Sequence, residues 1–133
     1  MIGIVIVAHG GLAREYLAAV EHVVGPQTGI RAISIEEEHD RSAKQAEIRA
    51  AADAVDTGAG VVVVTDIFGG SPSNLSLLAC AKPGREIIYG ANLPLLIKLA
   101  KSRQLTVPQA VEAALDAGRK YINSYSGAGM TGK

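Results

Sequence analysis

Ile2-Gly3-Ile4-Val5-Ile6-Val7-Ala8-His9-Gly10-Gly11 decides the fold. Residues 2–8 are short, continuous and rich in Ile and Val, the pattern of a parallel strand buried on both faces. Such a strand needs helices above and below it. Gly10-Gly11 then breaks the run. The same punctuation recurs where Val61-Val62-Val63-Val64-Thr65 breaks into Asp66-Ile67-Phe68-Gly69-Gly70-Ser71-Pro72.

Working outward, Leu12, Tyr16, Leu17, Val20, Val23 and Val24 recur at helical spacing and predict a helix over 12–24, stopped by Gly25-Pro26. Ile30–Ile35 predicts a second strand, more alternating and nearer an edge. An Ala-rich helix over 42–56 follows, capped by Asp40 or Ser42. After the strand at 61–65 the sequence predicts a helix over 72–81, with Ser71 as N-cap and Pro72 in its first turn. Residues 86–90 form a fourth strand, Asn92-Leu93-Pro94 opens a helix over 93–102, and Thr106 caps a last helix over 107–118. Residues 120–125 alternate and read as an edge strand; residues 126–133 read as a flexible tail.

Strands alternating with helices predict an α/β, doubly wound, mainly parallel sheet in the order 2-1-3-4, with helices on both faces and a C-terminal antiparallel edge strand as an addition. In that order the first and third strands are neighbours at the switch point, where such sheets bind ligands beyond the carboxyl ends of their strands. His9 and Asp66 fall there.

Composition narrows the function classes. The 133 residues fit one domain, with residues 1–125 as its body. Aromatic content is 4% with no Trp, and 13 basic residues balance 13 acidic ones, so neither base stacking nor a basic field favours nucleic acid. No apolar run approaches the roughly 20 residues of a membrane span. No secretory leader is visible, and Cys80 has no partner cysteine, so the expectation is a cytoplasmic protein without disulfides, metal or cofactor. Glu36, Glu38, His39 and Asp40 are the nearest approach to a metal cluster, but no second histidine stands at ligand spacing. No GxxxxGK[ST] stretch occurs, which removes a P-loop nucleotidase.

The chemistry centres on His9. If Asp66 accepts a hydrogen bond from Nδ1–H, it fixes the tautomer, leaves Nε2 as the nucleophile and stabilises positive charge on the ring. A phosphoryl group arriving there needs donors. The backbone N–H groups of Gly10, Gly11, Gly69, Gly70 and Ser71 are candidates, because glycine lets the main chain approach closely. Helix amino ends near Leu12 and Pro72 add favourable dipoles. The Ser71 hydroxyl either joins them or caps its helix. Arg14 either pairs with the phosphate or stays exposed. His22 reads as packing or surface.

With these residues in hand, the chain resembles the mannose-family IIA domain of the bacterial phosphoenolpyruvate:sugar phosphotransferase system, in its stand-alone form. The resemblance is carried by Ile4-Val5-Ile6-Val7-Ala8-His9-Gly10, by Asp66-Ile67-Phe68-Gly69-Gly70-Ser71-Pro72-Ser73-Asn74, and by Gly90-Ala91-Asn92-Leu93-Pro94-Leu95-Leu96, in family order, and spans about residues 1–125. It implies a phosphohistidine at His9 Nε2, with Asp66 as its partner. It implies phosphate taken from the phosphocarrier protein HPr and passed to a IIB protein in transporting systems, with Asn92, Leu93 and Pro94 near the active-site end of the sheet; Arg14 and Phe68, by their place beside the two loops, are further candidates for the rim. It also implies a homodimer that exchanges a C-terminal edge strand, for which 120–125 is the candidate.

Two other functions fit the same motifs. One is a regulatory module whose His9 phosphorylation controls binding to a regulatory target without sugar transport. The other is the phosphoryl-donor subunit of dihydroxyacetone kinase, whose loop after the third strand should differ from Gly-Gly-Ser-Pro. A receiver domain phosphorylated on aspartate is disfavoured, because paired acids for magnesium are replaced by Ala8-His9-Gly10.

Overall fold

The computed structural model describes residues 1–127 and 129–131. Strands β1 (Gly3–His9), β2 (Ile30–Ile35), β3 (Val61–Thr65) and β4 (Arg85–Ile88) alternate with helices α1 (Leu12–Val24), α2 (Arg41–Val55), α3 (Ser71–Leu75), α4 (Leu93–Ala100) and α5 (Val107–Lys120). The sheet order is β2-β1-β3-β4, all parallel, as the sequence predicts.

Burial on both sides of the central strands follows the twofold period of their side chains. Ile4, Ile6, Ala8, Val62 and Val64 pack on one face with α1, α4 and α5. Val5, Val7, Val61, Val63, Ile33 and Ile35 pack on the other with α2 and α3. The register pairs Val7 with Thr65, so β1 and β3 end side by side and their next residues lead into adjacent loops.

The helix signals act locally as expected at three places. Asp40 caps α2 by accepting from the Ala43 N–H at 3.0 Å. Asn92 caps α4 through Leu95 N–H, also at 3.0 Å. Thr106 and Gln109 close a reciprocal capping box on α5.

Two expectations are corrected. The helix predicted over 72–81 is a single turn, Ser71–Leu75, followed by a 3-10 turn at Leu78–Cys80. Its N-cap is Gly70, and Ser71 already lies inside the helix. The Ser76 hydroxyl donates back to the Pro72 carbonyl at 2.6 Å, and such local side-chain bonds compete with helix propagation. The second correction concerns the C-terminus. Residue 120 ends α5, and β5 (Ser124–Ser126) pairs antiparallel with β6 (Gly129–Thr131) in a separate hairpin, so among the described residues no C-terminal strand joins the main sheet of the same chain. The expected tail thus contains a strand; Ala128, Gly132 and Lys133 of that stretch lie outside the described residues. No helix among the described residues is long and apolar enough to cross a membrane.

Candidate functional site

His9 is the last residue of β1, and Asp66 the first after β3. Gly10, at φ +55°, turns the chain away at once, a backbone conformation that glycine adopts without the clash a side chain would bring. The turn leaves the His9 side chain 51% exposed while that of Asp66 is 10% exposed.

One carboxylate oxygen holds the histidine twice. Asp66 Oδ2 accepts the His9 backbone N–H at 3.0 Å and stands 2.9 Å from His9 Nδ1. Asp66 Oδ1 accepts the Ile67 N–H at 3.0 Å. Burial alone would raise the Asp66 pKa. The His9 backbone and ring hydrogen bonds, the His9 charge and Ile67 outweigh it and hold the carboxyl below its usual range. An ionised carboxylate can only accept, so Nδ1 carries a proton and the neutral ring has its lone pair on Nε2.

Around this pair the glycine loops divide their N–H groups between structure and surface. Gly10 N–H donates to the Ile35 carbonyl at 3.0 Å, and Gly69 N–H donates to the Ser73 hydroxyl at 3.0 Å. Both are spent within the fold, so neither is free to hold an anion, contrary to expectation. The N–H groups of Gly11, Gly70 and Ser71 have no acceptor among the described residues. Gly70 lies against the imidazole: a Cβ there would stand 3.5 Å from His9 Cε1. The amino end of α1 adds its dipole, whereas α3, a single turn, adds little.

The expected rim residues separate into two groups. Arg14 is exposed and folds back over the turn, its Nη2 3.6 Å from where a Gly11 Cβ would be. Phe68 is 77% exposed and meets Tyr89 edge to face, with ring centroids 4.8 Å apart. With exposed Leu12 and Ile67 they give the His9 end of the sheet an apolar surface. Asn92, by contrast, is a structural residue: its Oδ1 caps α4 and its Nδ2 donates to the Gly118 carbonyl of α5 at 2.8 Å. Leu93 and Pro94 are half-buried in the same joint. His22 is exposed, and His39 sets Nδ1 against the Glu36 carbonyl at 2.9 Å.

Three residues were not singled out as site residues from the sequence. Tyr89 backs Phe68 from the end of β4. The Tyr16 hydroxyl donates to the Ala91 carbonyl at 3.1 Å, and its pKa is raised by burial and by the Asp66 charge. Ser73 is buried beneath the Gly69-Gly70 turn. Only Ser73 carried a usable signal, a hydroxyl three residues after a glycine turn.

Comparison with known proteins agrees with this architecture. Residues 3–116 match the family profile EIIA-man, described as the PTS system fructose IIA component. The PTS system mannose-specific EIIAB component of Escherichia coli K12 is 29% identical over 126 residues, covering 92% of this chain; the chain spans only 39% of that relative's length. The PTS system sorbose-specific EIIA component of Lacticaseibacillus casei is 26% identical over 125 residues, covering 92% of this chain and 90% of the relative. Among solved structures, the mannose/sorbose specific IIA subunit from Enterococcus faecalis superposes with a TM-score of 0.82 at 25% identity, over 98% of each chain. Phosphotransferase system component EIIA from Streptococcus agalactiae gives 0.82 at 25% identity, over 93% of this chain and 97% of the other. The chain belongs to the EIIA-man family of phosphotransferase-system IIA components.

Proposed function

We propose that the protein is a cytoplasmic phosphoryl carrier, with residues 1–125 as its working domain, that takes a phosphoryl group from phospho-HPr onto His9 Nε2 and hands it to a IIB protein. One observation carries the reading: a single Asp66 oxygen receives both the His9 backbone N–H and Nδ1, fixing the tautomer on a half-exposed ring. In the transfer the Nε2 lone pair forms the N–P bond while the bond from phosphorus to the donor breaks. The departing electron pair stays with the donor. Nδ1 keeps its proton, and Asp66 stabilises the charge that grows on the ring. The free N–H groups of Gly11, Gly70 and Ser71, the Ser71 hydroxyl and Arg14 are the donors for the phosphoryl oxygens. Onward transfer is the same displacement in reverse, with a IIB side chain as nucleophile.

A half-exposed nucleophile on an apolar rim fits a protein donor better than a small one, since Phe68, Ile67 and Leu12 offer area for docking. Exposed Tyr121, Ile122 and Tyr125 beside the C-terminal hairpin support a homodimer through that segment. The mannose- and sorbose-specific names of the relatives point to a sugar-transport system as the setting.

The test is incubation with phosphoenolpyruvate, enzyme I and HPr, followed by intact mass and peptide mapping. The expected product carries one phosphoryl group on His9, labile to acid and stable to base. Absence of any phosphorylation, or its location on another residue, refutes the carrier role.

A further inference from the structure

The Gly69-Gly70 turn is tied from below by one side chain. Ser73 is 3% exposed, and its hydroxyl works in both directions. It accepts the Gly69 N–H at 3.0 Å and donates to the Gly70 carbonyl at 3.0 Å. The Gly70 carbonyl also accepts Asn74 N–H at 3.1 Å, so this carbonyl is held at two points. Gly69 sits at φ +83°, a conformation that leaves the turn free to adopt several others unless something fixes it. The Phe68–Gly69 and Gly70–Ser71 peptide groups are therefore pinned; the second carries the Ser71 N–H, and the Gly69–Gly70 peptide, which carries the Gly70 N–H, is held between the two. The Gly70 and Ser71 N–H groups have no acceptor among the described residues, and Gly70 stands beside His9 Cε1, the ring atom between Nδ1 and Nε2.

We infer that Ser73 is a positioning residue: its hydroxyl clamp aims the Gly70 and Ser71 N–H groups at the phosphoryl group carried on His9 Nε2. The inference rests on the carrier reading above. Ser73 touches neither phosphate nor imidazole. It acts through backbone donors, whose value to a transition state depends on their being fixed before charge develops.

Ser73→Ala removes both hydroxyl bonds and leaves the Gly69 N–H without an acceptor, while Ser73→Thr keeps the hydroxyl. Steady-state transfer from phospho-HPr through the protein to a IIB acceptor should show kcat lowered by roughly tenfold in S73A, less than for outright loss of an oxyanion donor because the N–H groups are misaligned rather than removed. KM for phospho-HPr should stay within about twofold, and S73T should recover most of the rate, when aim rather than docking is lost. Unchanged kcat in a folded S73A, or a raised KM with kcat intact, overturns the inference, since either places the serine in loop docking or in nothing. Amide NMR of the wild-type protein decides independently of how the variants fold. On phosphorylation the Gly70 and Ser71 N–H resonances should shift downfield and exchange more slowly, with Gly69 little changed. If they do not move, the clamp has no phosphate role. Wild-type protein that takes no phosphate on His9 fails the carrier reading itself, and is distinguished from failure of the clamp by that blank alone.

Discussion

Asp66→Asn changes almost no volume and removes one charge, which makes it a sharp probe of the site. The carboxylate uses both oxygens: Oδ2 accepts from His9 N and Nδ1 at 3.0 and 2.9 Å, and Oδ1 accepts from Ile67 N at 3.0 Å. An amide has a single accepting oxygen. If that oxygen faces His9, the NH2 group meets the Ile67 N–H and that donor loses its acceptor. If it faces Ile67, the NH2 group points at His9, Nδ1 must become the acceptor, and the ring proton moves to Nε2 and blocks the nucleophile. The first arrangement keeps the tautomer but exchanges two charge-assisted bonds for neutral ones, a loss of about 1 kcal/mol each. The second adds the penalty of returning the ring to its reactive tautomer. The first raises the barrier by about 2 kcal/mol and the second by up to about 4 kcal/mol, roughly 30- to 1,000-fold in rate. Quenched-flow phosphorylation with phospho-HPr in excess measures it directly, with circular dichroism to show that the variant is folded. A folded D66N protein phosphorylated within threefold of wild type would refute the role given to Asp66.

Other outcomes follow from the same structure. His9→Ala should end phosphorylation and cost less than about 1.5 kcal/mol of stability in urea titration, because the ring is half exposed and Asp66 keeps the backbone N–H; a larger loss would make His9 structural. Burial pushes the Cys80 thiol up to about 11, slightly offset by Arg85, so roughly one molecule in a thousand is thiolate at pH 8. Iodoacetamide should therefore modify Cys80 slowly in the native protein and quickly in urea; fast native labelling contradicts that burial. At the amino end of the sheet Arg85 donates to Asp53 at 2.8 Å and Asp56 at 3.1 Å. Hydrogen bonds from Arg85 and Lys82 hold Asp53 below its usual pKa, and the Gly58 N–H with Arg85 does the same for Asp56 against a smaller penalty of burial. Carboxylates with depressed folded pKa values stabilise above their unfolded value and lose that contribution as pH falls through the folded one. The melting temperature should drop below about pH 4, with a shallower acid limb in Arg85→Met; an identical limb would deny the cluster that role.

The centre of the sheet was legible because β1 and β3 are buried on both faces and so read as unbroken Ile/Val runs, each followed by a loop with a Gly-Gly pair. The strand order comes from what is common to doubly wound sheets rather than from these runs, and the structure has that order, β2-β1-β3-β4, with His9 beside Asp66. What failed was local. The residues Ser71, Pro72, Ser73, Asn74, Leu75 and Ser76 look like a good helix start, but two of the serines turn their hydroxyls onto nearby backbone and α3 stops after one turn. The alternation over 120–125 is real, yet Tyr121, Ile122 and Tyr125 are all exposed, so the pattern names no buried face within one chain. Asn92 shows a third limit. Its motif carries a resemblance, but which way an amide turns depends on Gly118, 26 residues on.

The hydrogen bonding of Asp66 also bears on what the site is suited to do. A general base needs a free lone pair and a proton affinity near neutrality. Asp66 receives three N–H groups, and its pKa is held below the usual range, so it is poorly placed to deprotonate a water molecule. Its geometry serves orientation and charge stabilisation instead. A carrier requires that bias. The phosphoryl group must wait on an open histidine between two partners, and activation of water at that moment would discharge it uselessly. On the carrier reading proposed above, an acid that can steady the ring but not activate water separates transfer from hydrolysis, and backbone donors clamped by Ser73 would favour phosphate without adding a base of their own.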